Sequence, residues 1–283
     1  SLGIAGDARL LSETETTSDI IHLHTERQEK GTERMNHLFH MVLTTGGKGL
    51  SLVNIRSIES VFFHHPDATL YMHYNKNALP LENNTQLKLL HDAEGHDIVF
   101  LPYDPTEVLR QTMRLAQLAG HTKDVISLEG AQEFAGNIET KYKNEEYWYA
   151  NEADLMRLCL IYSIGGTYMD TDMIWIKPVN DMNNIVGKDT PDQINNALLR
   201  FTSPQNLFIA KAINSFISEY NGQIWGHNGP QVLSRSARRH PELLCHDSDF
   251  PTNNKVHDKC YVTVLKKDAF YPVRWNRWKN LCM

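Results

Sequence analysis

Apolar and polar positions along this chain follow two alternating rhythms. Leu38 to Thr44, Thr69 to Tyr74 and Ile98 to Leu101 are short apolar runs rich in β-branched and aromatic residues, and they read as strands. Between them, apolar residues recur every three or four positions. This predicts helices from after Gly49 to about Phe63, from Gln86 to Ala93, and from Thr106 to Leu118 with Pro105 at its start. Strands alternating with helices imply parallel pairing through crossover helices. The expected fold class is α/β, a single doubly wound, mostly parallel sheet flanked by helices. Later in the chain, Asn196 to Phe201 and Tyr261 to Leu265 read as strands, Asn206 to Tyr220 as an amphipathic helix, and Pro230 opens a helix ending near Arg239. Gly120 to Tyr147 looks less regular, like an insert, and a polar stretch follows Pro178. Residues 1–37 are polar and charged, with weak helix near Ile20 to Arg27, and are expected to form a flexible leader or stem remnant. Residues 38–283 are expected to form one domain.

The most informative stretch runs from Asn151 to Pro178. Asn151 is a suitable N-cap, with Asp154 at the third helical position beside free N–H groups. Leu155, Leu158, Ile161 and Tyr162 form an apolar face, and Gly165-Gly166 suits a left-handed helix stop. Thr167 to Ile176 then reads as a strand, yet it contains Asp170 and Asp172, and aspartate is depleted in strands. If the backbone stays extended, Tyr168, Asp170 and Asp172 share one face. A divalent cation would offset the repulsion between the carboxylates, and their oxygens suit magnesium or manganese. The plainer alternative is a turn at Asp-Thr-Asp with solvated carboxylates. Asp154 and Arg157, three apart on one helix face, could simply form an ion pair.

Composition narrows the field. A hydrophobic content of 41% with 22% charged residues permits a packed core. A net charge of −6 argues against nucleic acid as a partner, since no broad basic surface is available. No apolar run approaches the length of a bilayer span, and the first residue is Ser1, so a signal or anchor segment is expected to have been removed. Of four cysteines, Cys159 lies in an apolar helix and reads as a buried thiol, while Cys245 and Cys260 flank a polar loop that a disulfide could close. Asn83-Asn84-Thr85 is a glycosylation acceptor pattern. Thr45 to Gly49 is glycine-rich but lacks P-loop spacing, so a plain strand-to-helix turn is expected. The histidines show no zinc-site spacing.

Asp154-x-x-Arg157 followed by Gly165-Gly166-Thr167-Tyr168-Met169-Asp170-Thr171-Asp172 resembles the sugar-binding core of the DXD-motif glycosyltransferases. Trp225-Gly226-His227-Asn228-Gly229-Pro230 and the closing Cys260 to Leu265, Phe270-Tyr271-Pro272 and Trp275 resemble one branch of them, the α-1,4-galactosyl- and α-1,4-N-acetylglucosaminyltransferases. The resemblance implies a GT-A-like fold, with residues 38–283 as the catalytic domain. It implies retaining transfer of galactose or N-acetylglucosamine from a UDP-sugar to an oligosaccharide or glycolipid acceptor, with Mn2+ or Mg2+ as cofactor. Asp172 would be the direct metal ligand and Asp170 a shared one. Asp154, Arg157 and Tyr168 would bind donor sugar or nucleotide, as would His227, Asn228 and Gly229. Trp275 and Trp278 could form an acceptor platform or pack the C-terminus. A Golgi or secretory location, with membrane association only through a removed N-terminal anchor, is the corresponding expectation. Alternatives are a GDP-mannose-dependent mannosyltransferase and a non-catalytic carbohydrate-binding protein.

Overall fold

The computed structural model describes residues 15–29, 37–47, 50–94, 96–122, 126–179, 182–245 and 260–270. The first half repeats strand and helix. Strand β1 (Leu38–Leu43) leads to α2 (Leu52–His64), β2 (Thr69–Asn75) to α3 (Thr85–Glu94), and β3 (Asp97–Tyr103) to α4 (Pro105–Leu118). A helix α1 (Thr17–Glu29) precedes them, and α5 (Leu128–Thr140) and α6 (Trp148–Ser163) follow. The second half holds β4 (Gly166–Met169), β5 (Ile185–Thr190), β6 (Gln193–Phe201), α7 (Leu207–Ser218), α8 (Pro230–Arg239), β7 (Thr263–Leu265) and α9 (Lys267–Phe270).

The strands make one sheet in the order β3-β2-β1-β4-β6-β5-β7. β1 pairs in parallel with β2 and β4, β2 with β3, and β5 with β7; β6 runs antiparallel to both β4 and β5. The mostly parallel expectation therefore holds. Every residue of β1 is buried, as in a sheet covered on both faces. Leu38, Val42 and Tyr71 face one core with α4, α6 and α7, whereas Phe39, Met41 and Met72 face the other with α2 and α3.

Polar atoms pin β1 in register. Gly165 C=O can only accept, so His40 Nε2 donates to it (2.9 Å) and His40 Nδ1 accepts from His73 Nε2 (3.1 Å). His73 Nδ1 then accepts from the Thr17 hydroxyl (2.8 Å). Burial lowers both imidazoles, His40 to about 3, which keeps this relay uncharged.

Three expectations need correction. The helix expected near Ile20 to Arg27 is longer, α1, and it packs: Ile20 and Ile21 are buried in the core, where α1 lies against β3 and α4. The stretch from Gly120 to Tyr147 contains a regular helix, α5, capped by Ser127 and buried through Ala131, Phe134 and Ile138. The polar stretch after Pro178 hides β5, whose first four residues are buried and which is irregularly paired to β6. Cys245 and Cys260 form a disulfide, and Cys159 is a buried free thiol, as expected. Asn83 is exposed. Among the described residues, no helix is long and apolar enough to cross a membrane. Tyr271, Pro272, Trp275 and Trp278 lie outside the described residues.

Candidate active site

Helix α6 begins four residues earlier than expected, at Trp148. Asn151 is therefore not an N-cap: it lies inside the helix, buried, with its Nδ2 donating to Tyr220 Oη (3.3 Å). The shift takes Asp154 out of the first turn and into a buried cluster. The helix stops as expected at Gly165 and Gly166, at φ of 85° and 90°. Gly166 is obligatory, since a Cβ there would lie 2.8 Å from Leu38 O.

Strand β4 ends at Met169, so the predicted strand to Ile176 breaks at the two carboxylates. Asp170 N–H makes a last cross-strand bond to Ala197 O (2.8 Å), and Met173 N–H turns back to Asp170 O (3.2 Å). The chain then runs along α2, whose side chains hold its backbone. Asn54 Nδ2 donates to Thr171 O and Oγ1, both at 3.0 Å. Ser57 Oγ donates to Met173 O, and Trp175 N–H donates to Ser60 Oγ (3.0 Å). The single-face geometry expected of an extended strand is replaced by a turn strapped to α2. The turn does not solvate both carboxylates, however. Asp172 is exposed, whereas Asp170 faces Arg157.

Arg157 is the centre of the cluster. Its side chain is only 7% exposed and lies 3.2 Å from both Asp154 Oδ1 and Asp170 Oδ1. It also donates to Asn196 O (2.8 Å) and packs 4.7 Å from the Tyr168 ring centre. Asn196 Nδ2 donates to Asp154 Oδ1 (2.7 Å), and the Tyr168 hydroxyl donates to Asp170 Oδ1 (2.6 Å). Burial pushes the carboxyls of Asp154 and Asp170 up, while Arg157 and these donors hold them down. The nearby Asp172 charge adds to the upward push on Asp170. Asp170, at 31% exposure, sits where the cluster opens, and Asp172 makes no hydrogen bond or ion pair among the described residues.

The segment after α7 closes the cluster from above. Gly229 has to be glycine: a Cβ there would lie 2.5 Å from Asp154 Oδ2. The close approach expected of this glycine is thus made to Asp154. Asn228 and His227 are not aimed at the cluster. Asn228 Nδ2 donates to Asn221 O (2.8 Å) and its Oδ1 accepts from Asn221 N–H (3.0 Å), while His227 Nε2 bonds Glu219 O (2.9 Å). Asn196 and Asn54 escaped the sequence reading. Asn196, an asparagine within an apolar strand run, carried a usable signal.

A second polar cluster lies on the same helix. Glu152 is 4% exposed, and its Oε1 accepts from Asn75 Nδ2 and Tyr103 Oη, both at 2.7 Å. Burial raises this carboxyl too.

An arginine shared by two carboxylates, beside a third carboxylate left in the open, stands at the end of an inner strand of an α/β sheet, where such sheets bind polar ligands. Residues 53–191 match the family described as glycosyltransferase sugar-binding region containing DXD motif, and residues 201–282 match the alpha 1,4-glycosyltransferase conserved region. By these two matches, which together span most of its length, the chain belongs to the DXD-motif glycosyltransferases. More narrowly, it carries the conserved region of the α-1,4 branch in its last third. Rat lactosylceramide 4-alpha-galactosyltransferase is 33% identical over 143 residues, covering 50% of this chain and 38% of that protein. Human alpha-1,4-N-acetylglucosaminyltransferase is 29% identical over 155 residues, covering 54% and 43%. The match thus spans less than half the length of these relatives. Among solved structures, the PaToxG glycosyltransferase aligns with a TM-score of 0.52 over 80% of each chain at 19% identity, in keeping with a GT-A-type fold.

Proposed function

We propose that this chain transfers galactose or N-acetylglucosamine from a UDP-sugar to a sugar hydroxyl of an oligosaccharide or glycolipid, with retention of configuration. The observation that carries the reading is the Arg157-centred cluster opening onto Asp172. Asp154 and Asn196 offer hydrogen-bonding groups to the hydroxyls of a donor sugar. Arg157 supplies a fixed positive charge beside the place where a diphosphate would lie, and its partners hold it without reorganisation. Tyr168 orients Asp170 through its hydroxyl and supports Arg157 with its ring.

Asp170 and Asp172 offer only oxygen ligands, and among the described residues no group of three or more His, Cys, Asp or Glu side chains could hold a metal. That set fits Mn2+ or Mg2+, hard cations that bind through one or two carboxylates and fill their shell with water and substrate phosphate oxygens. Asp172 would hold the ion and Asp170 share it. When bound, such an ion supplies charge that stabilises the departing diphosphate. The disulfide and the exposed Asn83 support a Golgi or secretory setting. Residues 38–283 would be the catalytic body, with α1 packed onto it.

The test is a hydrolysis screen of UDP-galactose, UDP-N-acetylglucosamine and GDP-mannose, with and without manganese. Manganese-dependent turnover of a UDP-sugar supports the reading; turnover of GDP-mannose alone, or of none, contradicts it.

A further inference from the structure

Trp225 is 60% exposed and Tyr149 is 54% exposed. Their ring centres lie 6.2 Å apart, and Tyr147 meets the same indole edge-on at 5.5 Å. Single exposed aromatics need no explanation, but this group is neither scattered nor carried on a loose segment. The loop bearing Trp225 is fastened to α6 at both ends. Before it, the Tyr220 hydroxyl donates to Glu145 Oε2 (2.7 Å) and accepts from Asn151, and Gly222 packs on the same carboxylate. After it, Gly229 packs on Asp154, and Arg235 Nη1 holds His227 O (3.0 Å). The next residue, Gly226, turns the chain at φ +73° with nothing within 4 Å of where a Cβ would stand.

The loop that carries the indole therefore ends against the carboxylate of the candidate donor site. Tyr149 stands on the same helix as Asp154, one to two turns before it, and meets the indole of the loop that ends at Gly229. Beside the rings, the Glu146 carboxylate is bonded to the Tyr147 hydroxyl. A pyranose has an apolar C–H face and a hydroxyl rim; aromatic rings cover the first, and carboxylate or amide groups bind the second. Three rings are too small a patch for a stable protein partner, which needs about 800 Å² on each side.

We propose that Trp225, Tyr149 and Tyr147 form the platform for the acceptor sugar. The inference rests on the transferase reading above and adds the acceptor side to it. The test uses lactose as acceptor and whichever UDP-sugar the wild-type chain hydrolyses. Trp225→Ala should raise the lactose KM about tenfold, leaving the donor KM unchanged, because one ring contact is lost. Trp225→Phe should restore most of the lactose affinity, and Tyr149→Ala, which removes an exposed side chain and leaves the fold intact, should give a smaller rise. An unchanged lactose KM in both alanine variants would overturn the platform, as would a donor KM that rises in parallel. A wild-type chain that hydrolyses the donor but saturates with neither lactose nor N-acetyllactosamine would overturn it as well. Absence of any donor hydrolysis in the wild type would instead remove the transferase reading itself.

Discussion

Two buried carboxylate clusters sit two residues apart on α6, and they are built differently. Glu152 meets neutral donors, Asn75 and Tyr103, in a closed interior. Asp154 and Asp170 meet a cation, Arg157, and their cluster opens onto the exposed Asp172. A carboxylate satisfied by neutral donors holds three elements together and has nothing left to offer. A cation shared between carboxylates at an open edge can exchange partners with an incoming anion. Burial raises all three carboxyls, so the direction of the shift does not separate the clusters; the partners and the opening do.

The comparison can be broken by substitution. Arg157→Leu should have the largest effect, since it leaves the buried Asp154 and the half-buried Asp170 without their cation. A loss of about 3–5 kcal/mol in denaturant unfolding is expected. A loss below about 1 kcal/mol would mean that the cluster is solvated rather than ionic. Glu152→Ala should cost about 2–3 kcal/mol by leaving Tyr103 and Asn75 unpaired, while turnover per folded molecule survives. Turnover lost without loss of stability would move Glu152 into the reactive site. The smallest effect is Glu152→Gln followed across pH. The folded-state carboxyl lies above its ordinary value of 4.5, so its ionisation costs stability as pH rises through that raised value. Relative to the glutamine variant, wild-type stability should therefore improve as pH falls toward 4.5, in paired melting curves. The opposite trend would show that the carboxylate is favoured in its charged form.

These clusters also show what a sequence carries and what it leaves out. The helix stop at Gly165-Gly166 was legible because the positive φ demands glycine. The grouping of Asp154, Arg157, Tyr168 and Asp170 was legible as a motif. The turn after Met169 was not, because what ends the strand is remote. Asn54, Ser57 and Ser60 lie three residues apart on α2 and take up the backbone of Thr171 to Trp175. Read on α2 alone, they look like ordinary polar positions of an amphipathic helix. The start of α6 was misplaced because Asn151 has the chemistry of a cap, while its real partner, Tyr220, lies 69 residues away. The side chains of His227 and Asn228, by contrast, are taken up close by in the chain, by the backbone of Glu219 and Asn221. Strand β5 was hidden by Lys188-Asp189-Thr190, which make half of it polar although Lys188 is buried with the three residues before it.

The central claim is that Asp172 stands open in order to hold a cation against a nucleotide diphosphate. Calorimetric titration of UDP, with and without manganese, into wild-type and Asp172→Asn protein tests it most directly. The account predicts manganese-dependent UDP binding in the wild type, weakened about 100-fold or more in the variant, with an unchanged melting temperature. Equal UDP affinity in the two proteins, or affinity indifferent to manganese, would contradict it.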